Sequence, residues 1–390
     1  MTTTEFEPRR TCPVCGSDQL VPIATLANAP VFCNVLLPSR DEAMRSPVGD
    51  VELAACGDCS HITNVAFDES KLDYSVEYEN SLHFSPTFQE FATALADRLI
   101  SAYGITNSQV VELGCGKGDF LAMLAARGAN EAIGFDPSYA GGVDQHDGPG
   151  SVRVIADTYQ AAGRDLRPSL IATRHVLEHL EDPALLISGL HQWSAGDPLV
   201  YLEVPNADYM ISESAVWDVI YEHPSYFTAR SLARLCTDNG LTPIEIESPF
   251  GGQYLSVHAR LGTEAGVEAQ QPADTPEFGR TLHQMLERWS AKLSDLASHG
   301  RTAAVWGAGS KGVSFSSVVP GAADVVDIAV DLNPRKKGRF MPASGIEVTT
   351  PDDPRLADAS LVLVMNPLYV DEIRSDIKAR GLDIPVELVK

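Results

Sequence analysis

Val110-Val-Glu-Leu-Gly114-Cys-Gly116-Lys-Gly118 is an apolar run that ends in three glycines on alternate positions. It predicts a strand, a tight turn and then a helix over Phe120–Arg127. Positions without a side chain let the backbone lie flat against a ligand. The N-terminus of the following helix adds unpaired N–H groups that suit a carboxylate or phosphate. The dinucleotide fingerprint G-x-G-x-x-G leaves room for a pyrophosphate. Here the third glycine comes one residue early, and Glu112 precedes the turn. A glycine-rich turn decides little alone, so the weight passes to the residues that follow.

Ala132-Ile-Gly-Phe-Asp136 reads as a second short strand ending in an acid, placed to accept the hydroxyls of a ribose. Val152-Arg-Val-Ile-Ala-Asp157-Thr158 reads as a third, and Leu170–Arg174 as a fourth. His175-Val-Leu-Glu-His179-Leu-Glu-Asp-Pro183 comes next, and Leu199–Val204 makes a fifth strand. A single acid at a strand end is most often an exposed carboxylate. Four such signals in order carry more weight. The order resembles that of class I S-adenosylmethionine-dependent methyltransferases, an α/β fold with a Rossmann-like sheet. That resemblance implies a cofactor site at Glu112, Gly114, Gly116 and Gly118, with Asp136 on the ribose. Asp157 and Thr158 would lie near the adenine, and His175 on the cofactor side.

With 390 residues the chain exceeds one usual hydrophobic core, so several domains are expected. Lys and Arg total 29 against 53 Asp and Glu, a formal charge of −24. Such a surface repels phosphate backbones and anionic membranes, which disfavours a nucleic-acid partner. No apolar stretch approaches the roughly 18 residues of a membrane span. The polar Met1–Arg10 carries no signal-peptide core, so the expectation is a cytoplasmic protein.

Cys12-Pro-Val-Cys15 and Cys56-Gly-Asp-Cys59 form two C-x-x-C knuckles. Four thiolates suffice for a closed tetrahedral zinc site with no position left for substrate, hence a structural one. Redox pairs or free thiols are the alternatives, but neither knuckle sits near a βαβ unit. Cys33, Cys115 and Cys236 read as buried thiols. Residues 1–70 show few periodic elements and too little apolar surface for an independent core. Residues 71–262 would form the catalytic domain, closing on a hairpin of Thr242–Ser248 and Tyr254–Arg260 around Gly251-Gly252. A polar linker at 263–277 leads into an amphipathic helix marked by Phe278, Leu282, Met285, Trp289 and Leu293. Residues 263–300 thus connect to a second nucleotide-type unit at 301–390. There Thr302–Trp306 precedes Gly307-Ala-Gly309-Ser-Lys311-Gly312, and Val325–Asp331 ends in an acid. Lys311 just inside this turn could neutralise a phosphate.

The whole layout resembles the sugar C-methyltransferases of antibiotic biosynthesis. Those proteins join an N-terminal zinc-binding domain, a class I methyltransferase core and a C-terminal Rossmann-like domain. The resemblance extends to Glu222-His223-Pro-Ser-Tyr226-Phe227, similar to a family segment whose histidine is taken as the catalytic base. It departs in two places: Tyr221 abuts Glu222 directly where the family has Tyr-x-Glu-His, and the segment Tyr74–Pro86 is altered. The resemblance implies a nucleotide-linked keto sugar of deoxysugar type as acceptor, held with help from the C-terminal domain at Gly309, Lys311 and Asp331. Asn80 and His83 would face that substrate. His223 would be the base, Glu222 its orienting group, and Tyr221 or Tyr78 a donor to the enolate oxygen. An O- or N-methyltransferase, or a nicotinamide-dependent oxidoreductase using the Gly307–Gly312 turn, are the competing readings. No Tyr-x-x-x-Lys pair follows that turn to support hydride transfer.

Overall fold

A computed structural model describes residues 8–72, 78–128, 130–141, 149–159, 166–193, 196–264, 275 and 277–390. The N-terminal part contains β1 (Leu20–Pro30), α1 (Arg40–Met44), β2 (Val48–Cys56) and β3 (Ile62–Asn64), an antiparallel meander. This corrects the expectation of few regular elements in residues 1–70. Register shifts at Pro22/Ala24 and Leu26/Ala29 break the period-two alternation of β1, so an 11-residue strand leaves a weak sequence signal.

The middle part opens with α2 (Pro86–Tyr103). The Ser85 side chain accepts from Phe88 N–H at its start, Pro86 supplies a fixed φ, and Gly104 at φ 67° ends it. Then follow β4 (Gln109–Leu113), α3 (Asp119–Gly128), β5 (Glu131–Phe135), β6 (Ser151–Ile155), β7 (Leu170–Arg174), α4 (Pro183–Gly189) and β8 (Leu199–Pro205). After these come α5 (Ala207–Ser212), β9 (Ser225–Tyr226), α6 (Ala229–Asp238), β10 (Leu241–Glu247) and β11 (Tyr254–Leu261). Seven strands make one sheet in the order β10-β11-β8-β7-β4-β5-β6, parallel except for the hairpin of β10 and β11. That hairpin lies where the alternating pattern and the glycine pair place it. The strand order reverses beside β4, so the carboxyl ends of β4 and β7 open the crevice in which α/β folds hold ligands.

Short β9 leaves this sheet and pairs with β3, Ile62 opposite Tyr226. The pairing pins the segment around His223 between the N-terminal meander and the catalytic sheet.

The C-terminal part runs α7 (Phe278–Ser298), β12 (Ala303–Trp306), α8 (Ser310–Val318), α9 (Ala322–Val325) and β13 (Val326–Val330). It continues with β14 (Glu347–Thr349), β15 (Leu361–Val364), α10 (Val370–Ala379) and β16 (Val386–Leu388). Its five strands are all parallel, in the order β14-β13-β12-β15-β16. One core joins β1 to α7 and α8, with Leu26, Trp217, Tyr226, Trp289 and Phe315 buried together. A Cβ on Gly279 would stand 2.1 Å from the carbonyl oxygen of Ile23, so α7 lies directly on β1. The N-terminal meander therefore buries its apolar face against the rest of the chain. Most of the 263–277 linker lies outside the described residues, as does Tyr74.

Candidate active site

The three glycines after β4 all sit in the left-handed region, at φ 66° for Gly114, 55° for Gly116 and 85° for Gly118. They are needed for different reasons. A Cβ on Gly114 would lie 2.2 Å from Cγ2 of Val176, whereas one on Gly116 meets nothing within 4 Å. Gly114 is packed, and Gly116 faces open space. Asp136 closes the turn: Oδ2 accepts the Gly116 N–H at 2.7 Å, and Oδ1 accepts from the Ser138 backbone at 2.9 Å. Asp157 and Thr158 are exposed at the end of β6, joined by a 2.7 Å bond from Thr158 N–H to Asp157 Oδ1.

Glu112 is buried beneath the turn, and its Oε2 has no hydrogen-bond partner. Burial pushes its pKa up to about 8, with the charges of Asp119, Asp136 and Glu203 adding to the effect and Arg174 opposing it. A crevice walled by acids, where an approaching cation would favour ionisation of Glu112, fits a cationic ligand such as a sulfonium that also carries an ammonium group. Sequence reasoning missed the pair behind this wall: Arg174 Nε donates to Glu203 Oε1 at 2.9 Å, both buried. The guanidinium also lies 4.2 Å from the Phe120 ring centre. Burial alone would raise the pKa of Glu203, but Arg174, His175 and Tyr201 bring it down to about 2. His175 follows β7 at φ 55°, its Nδ1 3.3 Å from Glu178 and its Nε2 3.4 Å from Glu203. Burial favours the neutral ring, yet these two carboxylates raise its pKa to about 9.

A second constellation stands beside the first. His223 is 9 % exposed, with its ring edge-on to His179 at 4.7 Å between centres. Glu178, His179 and His223 each place a ligand atom within 4.8 Å of the others. His179 Nδ1 is 3.1 Å from the Glu222 carbonyl oxygen, and Tyr78 meets His179 edge-on at 6.5 Å. The Glu222 side chain is fully buried, and burial raises its pKa to about 8 against the opposing pull of the Cys33 backbone. Burial likewise drives His223 well below the usual imidazole value, helped by His179 and His175. His223 is thus a neutral imidazole, and Glu222, the residue before it, a neutral carboxyl set against the Cys33 backbone.

Tyr221, expected here, is placed elsewhere. Its hydroxyl accepts the Asp68 N–H at 3.0 Å, and its ring packs on β2, where a Cβ on Gly49 would come within 2.2 Å. A side chain directly preceding Glu222 points away from the His223 face, so the missing spacer residue turns this tyrosine into a packing group. Asn80 is exposed, and His83 packs edge-on to Phe88 at 5.1 Å.

Residues 88–246 match the family described as a methyltransferase domain, and residues 251–381 match that described as a C-methyltransferase C-terminal domain. The chain is an S-adenosylmethionine-dependent methyltransferase. Over 388 residues the methyltransferase is 24% identical to C-methyltransferase NovU of Streptomyces niveus, covering 93% of this chain and 90% of that one. Among solved structures it is similar to the plantazolicin methyltransferase BpumL in complex with SAH, at 16% identity and a TM-score of 0.37. That likeness covers 45% of this chain and 85% of BpumL. It is also similar to magnesium protoporphyrin IX methyltransferase from Synechocystis PCC 6803 with bound SAH, at 17% identity and a TM-score of 0.35. There 45% of this chain and 83% of the other are covered. No helix among the described residues is long and apolar enough to cross a membrane.

The second glycine turn of the methyltransferase repeats the device of the first. Asp331 Oδ2 accepts the Ala308 N–H at 2.9 Å, as Asp136 does for Gly116. Here, however, the acid also pairs with a cation. Buried Lys336 donates to Asp331 Oδ2 at 3.1 Å and to the Ala308 carbonyl at 3.0 Å, while Oδ1 accepts from Asn333 N–H at 2.9 Å. Gly312 is required because a Cβ would sit 2.0 Å from the Gly307 carbonyl oxygen, and Gly309 faces open space. Lys311, expected beside a phosphate, instead pairs with Asp218 at 2.7 Å and with Gln253 at 3.4 Å. Asp218 precedes the His223 segment, so Lys311 joins the C-terminal unit to that segment rather than projecting from the turn.

At the N-terminal end the four knuckle cysteines converge with every sulfur within 4.8 Å of the rest. Cys12 and Cys59 are 3.5 Å apart, and Cys15 and Cys56 3.6 Å. Four sulfurs at about 2.3 Å from a tetrahedral zinc are about 3.8 Å from one another. All seven cysteines are free thiols. The residues fit a zinc ion.

Proposed function

We propose that this methyltransferase alkylates the carbon beside the carbonyl of a nucleotide-activated keto sugar, with His223 as the base. The observation that carries the reading is the His223 ring, buried and held neutral, set edge-on against His179. A carbon next to a ketone becomes nucleophilic only when a base removes its proton. An imidazole already neutral at physiological pH can do this without first losing a proton of its own. The carboxyl of Glu222, still protonated, can orient the acceptor or donate to oxygen as negative charge develops. The Tyr78 ring meets His179 edge-on, and its hydroxyl would be the donor to the enolate oxygen.

S-adenosylmethionine supplies the electrophilic methyl group. Glu112, Gly114, Gly116 and Gly118 would hold it, with Asp136 at the ribose, Asp157 and Thr158 near the adenine, and His175 on its flank. Zinc at Cys12, Cys15, Cys56 and Cys59 would fix the end of β2. We divide the chain at 1–70, 71–262, 263–300 and 301–390, with the C-terminal unit on the acceptor side and the protein acting on small molecules in the cytoplasm. In a C-methyltransferase C-terminal domain, matched over 251–381, the reading finds its second support.

The test is isotopic. In deuterium oxide, with S-adenosylhomocysteine present and a thymidine-diphosphate 4-keto-6-deoxysugar as acceptor, the wild type should exchange the proton beside the carbonyl. His223→Ala should lose that exchange and lower kcat by a factor on the order of 10²–10⁴, with S-adenosylhomocysteine affinity nearly unchanged. Retained exchange in the variant would move the base to His179.

A further inference from the structure

Residues Tyr78 to Thr87 touch all three parts of the fold. Tyr78 forms an isolated bridge with Val35, and Asn34 Nδ2 donates to its hydroxyl at 3.0 Å. Ser81 Oγ donates to Asp119 Oδ2, on the first residue of α3, at 3.0 Å. Ser85 and Thr87 hydroxyls donate to Glu372 on α10 at 2.9 and 2.6 Å. At the centre of this strap the Glu79 side chain, 12% exposed, is an acid shared by two domains. Lys117 of the cofactor turn pairs with Oε2. From the C-terminal unit, Asn333 Nδ2 donates to Oε1 at 3.0 Å, and Arg335 Nη1 lies 3.5 Å from Oε2.

Each partner of Glu79 is itself tied to a glycine turn. Lys117 stands between Gly116 and Gly118, and Asp136 fixes the Gly116 amide at 2.7 Å. Asn333 N–H is held by Asp331 Oδ1 at 2.9 Å, and Asp331 Oδ2 holds the Ala308 amide of the second turn at 2.9 Å. An unbroken series of bonds therefore runs Asp136, Gly116, Lys117, Glu79, Asn333, Asp331, Ala308. A largely buried carboxylate cannot exchange a donor for a like charge cheaply, because little solvent reaches it to screen the repulsion. Displacement on one side is thereby transmitted to the other.

We propose that Glu79 is a positioning residue that couples the two glycine turns, so that the arrangement of the C-terminal turn sets the affinity of the cofactor turn. The proposal rests on reading Glu112–Gly118 as the cofactor site. It assigns a role to a residue that contacts neither the base nor the knuckles.

The test uses the full chain and S-adenosylhomocysteine titrated by calorimetry into wild type, Asn333→Asp, Glu79→Gln and the double variant. Asn333→Asp keeps the oxygen that caps the Arg335 N–H (3.0 Å) but sets a second carboxylate against Glu79. It should weaken S-adenosylhomocysteine binding about five- to thirty-fold, although the substitution lies in the other domain. In the Glu79→Gln background the introduced amide can donate to the introduced carboxylate, so the same substitution should change affinity less than twofold. Arg335→Glu, on a side chain 48% exposed, repeats the cycle should the first variant misfold. A merely structural role would lower the melting temperature without this cross-dependence. Affinity within twofold of wild type in both single C-terminal variants, or equal losses in both Glu79 backgrounds, overturns the coupling. Wild-type protein that does not bind S-adenosylhomocysteine overturns the cofactor reading itself.

Discussion

Gly114 and Gly116 are two residues apart with nearly the same backbone conformation, yet their substitution by alanine should fail in different ways. Both sit at positive φ, 66° and 55°, where a side chain costs about 1–2 kcal/mol. For Gly116→Ala that is the whole folding cost, because the new Cβ meets no protein atom within 4 Å. For a unit of this size, 1 kcal/mol corresponds to about 2–4 °C, so melting should fall by roughly 2–8 °C. In Gly114→Ala the Cβ would also stand 2.2 Å from Val176 Cγ2, far inside carbon–carbon contact. Overpacking of that kind adds about 1–3 kcal/mol. Ligand binding should rank the two in the opposite order to folding cost. The space in front of Gly116 is where the backbone can approach the cofactor, so its alanine variant should lose at least tenfold in S-adenosylhomocysteine affinity, about 1.4 kcal/mol or more. Scanning fluorimetry with and without S-adenosylhomocysteine reads both quantities, since a ligand that binds the native state raises its apparent stability. Gly116→Ala that keeps wild-type affinity, or that melts as low as Gly114→Ala, would refute the distinction.

Further outcomes are expected elsewhere. Metal analysis of protein purified without chelator should find one zinc per chain, and Cys59→Ser should remove it and lower the melting temperature; metal-free wild type of unchanged stability would defeat the assignment. Stability should fall as pH rises from about 7 to 9, above the range in which the imidazoles of His61, His179 and His223, held neutral by desolvation, make it rise. Burial lifts Glu112 and Glu222 to about 8, so between the ordinary carboxylate value and pH 8 the folded state holds protons that the unfolded chain has lost. His175, lifted to about 9 by Glu178 and Glu203 despite burial, adds stability that is full below the ordinary imidazole value and lost as pH passes 9. Glu222→Gln cannot ionise, so its melting temperature should fall less steeply across this range; an unchanged slope would mean that Glu222 is already charged.

Much of the catalytic sheet was legible in the sequence because its signals are local. Leu170–Arg174 reads as a strand and is one, and the glycine pair at 251–252 places the closing hairpin. Alternate glycines with a following acid likewise specify a turn from which Asp136 can reach the Gly116 amide. The N-terminal meander was not legible, since bulges disrupt the alternation in β1 and its buried face is completed only by α7 and α8. Tyr221 shows the limit most sharply: its identity suggested chemistry, but which way it points depends on β9 pairing with β3.

Long-range pairings lay beyond the sequence for the same reason. Arg174 with Glu203, His179 with His223, Lys311 with Asp218 and Glu79 with Asn333 all join residues with many others between them. The sequence by itself determined which turns could receive a ligand and which side chains could carry a charge or a proton, because backbone conformation and residue chemistry are local properties. Only the tertiary structure decided which acid remains unpartnered, which imidazole is held neutral and which cation is already paired. Those are properties of the surroundings, and burial in a low-dielectric interior sets them through neighbours that the linear order does not bring together.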